Sequence, residues 1–185
     1  MSELWRPAAE WELQSMIAKL ARDKRAIEVV GHGALRNAGR SAKADVVLTT
    51  SGLKGITLYE PTELVMSARS GTPLYEIEAV LAARGQMLAF EPVDLGPTTG
   101  APGGALSIGG VFATNFSGSR RIIAGSARDN LLGVRAINGR AELFKSGGRV
   151  MKNVTGIDVA RGLTGSWGTL AVMTEVTFKV APMPQ

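Results

Sequence analysis

Between residues 8 and 24 the apolar side chains Leu13, Met16, Ile17 and Leu20 recur at i, i+3, i+4 and i+7, with charges on the opposite face. That spacing predicts an amphipathic helix. The four residues 27–30 then predict a short buried strand running into GHGALRNAG, a turn-forming stretch with Gly31, Gly33, Asn37 and Gly39. The apolar run DVVLTT predicts a second strand, and shorter ones are expected at 56–59 and 64–68. In SGTPLYEIEAVLAARG, Thr72 is placed to cap a helix, Pro73 to occupy its first position and Gly85 to end it, while Leu74, Ile77 and Leu81 share one face.

The Pro/Gly-rich stretch 92–104 interrupts this mixed pattern. Beyond it come strand-like runs at 131–137, 141–144 and 170–180, the last with Val176, Phe178 and Val180 alternating with polar residues, as in a half-buried antiparallel strand. The pattern predicts an α+β chain of two facing subdomains: a first α/β part over 1–95 and a second α+β part over 96–185. There is no internal repeat.

Composition narrows the chemistry. The 185 residues include no cysteine and one histidine, which excludes a disulfide framework, a thiolate site and most His-rich metal centres. The N-terminus lacks an apolar signal core, so a cytosolic protein is expected. The longest uncharged run, 95–119, is broken by Gly and Pro and makes a poor membrane span. Net charge is +5, with the excess in the second part: residues 1–100 hold 11 Lys/Arg against 12 Asp/Glu, the remainder 10 against 4. The arginines are singly spaced without stacking aromatics, which argues against nucleic acid and for an anionic ligand or acidic partner.

The motifs are mostly backbone. GHG follows a strand, but Arg36 stands where a Rossmann fingerprint needs its third glycine. What remains is either a bare tight turn or a row of N–H groups fit for phosphate oxygens. No Walker loop is present, and GALSIG does not match a nucleophile elbow. In GALSIGGVFATNFSGSRR, Ser107 is a candidate N-cap, and Gly109, Gly110 and Ala113 make a side-chain-free face suited to a flat group or to close helix packing. A second such approach is GLTGSWGTLAV, where Gly165 and Gly168 precede a strand.

The runs GQMLAFEP, SIGGVFATNFSGSRR and GGRVMKNVTGIDVARGLTGSWGTLAVMTEVTFKVAP resemble the FAD-binding domain of the vanillyl-alcohol oxidase (PCMH) type, and within it the FAD-binding subunit of bacterial glycolate oxidase. The resemblance implies FAD between the two subdomains. Gly31, His32, Gly33, Ala34 and Leu35 would lie on its pyrophosphate; Gly109, Gly110, Asn115, Ser117 and Gly118 would form one flavin wall, and Gly165, Gly168 and Leu170 the other. In relatives with covalent flavin, a histidine stands where this chain has Gly33, so non-covalent FAD is expected. Ile157 occupies a position usually held by tyrosine. Relatives continue into a second domain that covers the flavin, so the chain reads as the FAD domain alone, inactive toward glycolate by itself. The implied partners are a second flavoprotein and an iron–sulfur subunit, with the complex peripheral to the inner membrane. No side chain is assigned as acid or base, since Asp129, Asp158 and Arg121 read equally well as surface and packing charges. The alternative is an assembly module that docks partner subunits without turnover.

Overall fold

The computed structural model describes residues 2–38, 40, 43–101, 104–149 and 157–184. Its strands are β1 (Glu3–Trp5), β2 (Ile27–Val30), β3 (Val46–Thr49), β4 (Ile56–Glu60), β5 (Val65–Arg69), β6 (Gln86–Met87), β7 (Leu131–Asn138), β8 (Leu143–Gly147), β9 (Ala171–Lys179) and β10 (Ala181–Pro182). The helices are α1 (Glu10–Arg22), α2 (Leu74–Ala82), α3 (Gly96–Thr99), α4 (Ile108–Thr114), α5 (Arg121–Ala124), α6 (Ala127–Asn130) and α7 (Val159–Leu163). β1, β3 and β2 form a parallel sheet in that order, and β4-β5-β9-β7-β8 form an antiparallel one, with β6 and β10 a separate pair. The architecture is the expected α+β one.

The large sheet takes strands from both sides of residue 95, because β5 pairs with β9 from Val65↔Lys179 to Arg69↔Glu175. The Pro/Gly-rich stretch therefore does not coincide with a break in strand pairing. What the sheets separate is 3–49 from the rest of the strands.

The predicted elements appear with adjusted ends. Helix α1 buries Leu13, Ile17 and Leu20, as its period requires. Leu13 and Ile17 pack with Leu48 of β3 and with Ile137 and Val172 of the large sheet, so one helix bridges the two sheets. Its first turn is also tied electrostatically: Glu10 accepts from Arg135 Nη2 on β7 and from Thr174 Oγ1 on β9. Burial alone would raise the Glu10 carboxyl, but the bonds from Arg135 and Thr174 outweigh it and hold the group below the usual carboxylate range.

Central strand β3 is buried along its whole length, and the first four residues of β9 are buried too. The alternation read at Val176 and Phe178 holds only where β9 has one covered face; at Ala171–Val172–Met173 the small-sheet side also packs. The main core joins α2, α4 and the large sheet, with Phe112 against Phe90 at 5.9 Å and against Phe178 at 5.5 Å between ring centroids.

Two local expectations are corrected. Helix α2 begins at Leu74, with Pro73 as its N-cap rather than its first residue, and Thr72 does not cap it. The Thr72 hydroxyl instead donates to the Arg69 carbonyl at 2.6 Å and accepts from Gly55 N–H at 2.9 Å. Pro73 is held extended by bridging Ser107. The strand expected at 141–144 lies at Leu143–Gly147, because Ala141 takes φ 61° in the turn that closes on Asn138.

Candidate functional site

The site is built where the loop after β2 faces the start of α4. Between them opens a cleft of about 360 Å³, lined by β2, the loop Gly31–Arg36, Ser70, the first turns of α4, the segment Trp167–Thr169 and the start of β9.

The loop is fixed from three directions. Thr49 Oγ1 donates to the Gly31 carbonyl at 2.6 Å, and Thr99 Oγ1 on α3 donates to the Ala34 carbonyl at 3.1 Å. His32 Nε2 donates to the Gly71 carbonyl at 2.8 Å. A side chain at Gly31 would run into Ser107 Oγ at 2.3 Å, so loop and helix cap touch directly. Gly33 has φ 91° with open space beside it, a backbone shape that an L side chain resists. Among the described residues, the N–H groups of His32, Gly33, Ala34 and Leu35 donate to no protein acceptor. A row of free N–H groups on a cleft is an anion-binding concavity.

Charge agrees with this. Arg36 clamps Glu28 through two bonds of 2.8 and 2.6 Å, which neutralises the carboxylate on the cleft wall and raises the guanidinium further. Arg40 lines the cleft as well and leaves its wall net cationic.

The opposite wall is α4. Ser107 is its N-cap, accepting from Gly110 N–H at 3.2 Å, as expected. Its two glycines have different work. A Cβ at Gly109 would lie 2.6 Å from both Cβ and the carbonyl oxygen of Ser70, so that glycine serves close backbone packing. A Cβ at Gly110 would meet only Ser107 Oγ at 3.3 Å and Leu106 Cδ1 at 3.7 Å, both from the helix's own start, and otherwise faces the cleft. The end of α4 is closed by Gly165 N–H donating to Phe112 O and Trp167 N–H to Ala113 O, which satisfies helix-terminal carbonyls and brings the 165–168 turn to the cleft.

Of the thirteen residues expected on the cofactor, Gly31, His32, Gly33, Ala34, Leu35, Gly109, Gly110 and Gly168 line the cleft, and Asn115, Ser117, Gly118, Gly165 and Leu170 do not. Asn115 ends α4 at φ 58° and accepts from Arg128 N–H. Ser117 Oγ accepts from Ala127 N–H at 2.9 Å. Gly118 N–H donates to the Phe90 and Glu91 carbonyls. Leu170 is 62% exposed. Ser117→Ala should therefore lower the stability of the free protein by about 1–2 kcal/mol, by stranding a buried N–H, and leave FAD affinity within about twofold, read from denaturant melts beside FAD titrations.

The charges left unassigned have structural employment. Asp129 closes a capping box with Ser126, Asp158 caps α7 through Arg161 N–H, and Arg121 donates to the Ser117 and Gly118 carbonyls. Ile157 is 86% exposed. Sequence reasoning missed Thr50, Ser70, Arg40 and Thr169 on the cleft, none of which carries a motif.

The family model described as "FAD binding domain" matches residues 3–147. The chain belongs to the FAD binding domain family. Its cofactor is accordingly FAD. Glycolate oxidase subunit GlcE of Escherichia coli (strain K12) is 46% identical over 132 residues, 71% of this chain and 36% of that protein. The mitochondrial D-lactate dehydrogenase [cytochrome] of Arabidopsis thaliana is 30% identical over 143 residues, 77% of this chain and 24% of that protein. Among solved structures, an alkyldihydroxyacetonephosphate synthase superposes with TM-score 0.77 at 20% identity, covering 98% of this chain and 32% of the other. The FAD domain thus spans about a third or less of the length of these relatives.

The cleft fits the cofactor on its own evidence of shape and polarity. The free N–H groups and Arg40 suit a pyrophosphate, the bare face at Gly110 suits a flat ring system, and Ser70, which also lines the cleft, carries a buried hydroxyl without a partner among the described residues. Among the described residues there is no metal-binding cluster, and no helix is long and apolar enough to cross a membrane.

Proposed function

We propose that the FAD domain is the cofactor-holding part of a complex that oxidises glycolate or a related 2-hydroxy acid, assembled with a second flavoprotein and an iron–sulfur subunit. The observation that carries this reading is the 46% identity to GlcE, of a chain whose own cleft suits FAD. The bound FAD supplies the two-electron chemistry. The chain's residues do the holding: the 32–35 amides bind phosphate oxygens, Arg40 offsets their charge, and Gly110 leaves the ring room. Asp129, Asp158 and Arg121 do structural work, so none of the three is assigned proton transfer.

Attachment of FAD is non-covalent. Gly33 offers no side chain to form a bond, and His32 Nε2 already donates to Gly71. Acid precipitation should release the yellow colour to the supernatant, and flavin carried in the pellet through denaturant washes would show otherwise. The functional test is reconstitution with the two partner subunits. Glycolate-dependent dye reduction should appear in the wild-type complex and vanish when this domain carries Gly110→Leu. Wild-type rates with that variant would instead mark a docking module.

A further inference from the structure

We propose that Ser70 is a cofactor-binding residue, its hydroxyl making a hydrogen bond to FAD. The proposal rests on the cleft being the FAD site and adds a residue that neither the glycine motifs nor the loop geometry names.

Ser70 is 1% exposed, and its Oγ has no hydrogen-bond partner among the described residues. A buried hydroxyl in that state is an exception that calls for a cause, because protein interiors pair nearly all their polar atoms. Among the described residues only Ser166 Oγ shares the condition, and Ser166 does not line the cleft while Ser70 does. Packing does not account for the hydroxyl. The surface that Ser70 presents to α4 is its Cβ and carbonyl oxygen, which an alanine would supply equally well.

The surrounding backbone makes the placement deliberate in its geometry. Ser70 N–H donates to Thr174 O at 2.9 Å, and Ser70 O accepts from Gly109 N–H at 2.8 Å. The next residue is held as firmly: Gly71 N–H donates to Leu53 O at 2.8 Å, and Gly71 O accepts from His32 Nε2 at 2.8 Å. Four bonds to four separate segments fix this dipeptide, all of them long-range in sequence. Every backbone group is used, and the one polar atom left over belongs to a residue that lines the cleft. A donor held rigid before the ligand arrives costs little ordering entropy on binding.

The chemistry required of the partner is an oxygen or nitrogen acceptor, which FAD carries along its length. Losing one neutral hydrogen bond, with its acceptor then left unpaired, should raise the FAD dissociation constant of Ser70→Ala by about five- to tenfold. Free protein tells a binding role from a structural one. Because Oγ bonds none of the described residues, the melting temperature of apo Ser70→Ala should equal or exceed that of wild type. Ser166→Ala, the same deletion at the hydroxyl away from the cleft, should leave FAD affinity unchanged.

The experiment is FAD titration and apo melting of wild type, Ser70→Ala and Ser166→Ala. Weakened binding confined to Ser70→Ala, with an undiminished apo melt, supports the assignment. Wild-type affinity in Ser70→Ala overturns it, as does an apo melt lowered by several degrees, which would make the hydroxyl a structural one. Wild type that binds no FAD at all would overturn the cofactor site itself, a failure distinguishable from the other two.

Discussion

A Gly110→Leu variant should fold like the wild type and fail to bind FAD, with the dissociation constant raised at least a hundredfold, roughly 2.7 kcal/mol. The reason is directional. A Cβ at this position has ordinary contact with Leu106 at 3.7 Å and a tight one with Ser107 Oγ at 3.3 Å, and the remainder of a leucine side chain must extend into the cleft. The free protein has no packed group there to displace, so it gives up only helix-cap comfort. The cofactor, by contrast, would overlap several heavy atoms that a close-packed backbone cannot move aside. If Gly110 served helix packing instead, the same change would cost the free protein about 1–3 kcal/mol. Paired melts of apo and FAD-loaded protein separate the cases, and an apo form melting well below wild type with normal affinity would refute the cofactor-wall role.

Gly71→Ala should do the opposite and damage the fold itself, by about 3 kcal/mol. Its Cβ would sit 2.0 Å from the Thr50 carbonyl oxygen and 2.8 Å from that of Leu53. Both are backbone atoms, so no side-chain rotation relieves the clash. The dipeptide must shift, and each shift stretches either Gly71 N–H to Leu53 O or His32 to Gly71 O. For a chain of this size the loss corresponds to a melting temperature lower by roughly 6–12 °C. FAD affinity should fall along with it, because the same carbonyl anchors the 31–35 loop. A thermal melt matching wild type would contradict the anchoring role.

The contrast between these glycines shows what the sequence reveals. Bare positions 109, 110 and 118 look alike as letters, yet a side chain at Gly109 would meet Ser70, one at Gly118 would meet Glu91 at 2.8 Å, and of the three only one at Gly110 would have room to extend into the cleft. The cause in each case is a segment far away in the chain. Local period was enough to place α1, β2, β3 and β9, because each carries its own apolar pattern. Strand β1 has no such pattern; three largely exposed residues are a strand only because Val46–Leu48 runs beside them. The row of free N–H groups on the loop was legible as one of two readings, beside a bare tight turn, since glycines after a strand expose N–H groups by local geometry. Ser70 was not, because a Ser-Gly pair reads as an ordinary turn until Thr174, Gly109, Leu53 and His32 are seen to hold it. Arg121, Asp129 and Asp158 were indistinguishable from catalytic charges until their capping and loop bonds were visible.

Amide hydrogen exchange with and without FAD tests the central claim most directly, since the 32–35 N–H groups donate to no acceptor among the described residues and should exchange fast in the free protein. Saturating FAD should slow exchange in residues 31–36, in α4 and in the 165–170 turn, while leaving α5, whose Ile122 and Ile123 are exposed, unchanged. FAD binding that leaves exchange in residues 31–36 as fast as before would contradict the placement of the cofactor on this loop.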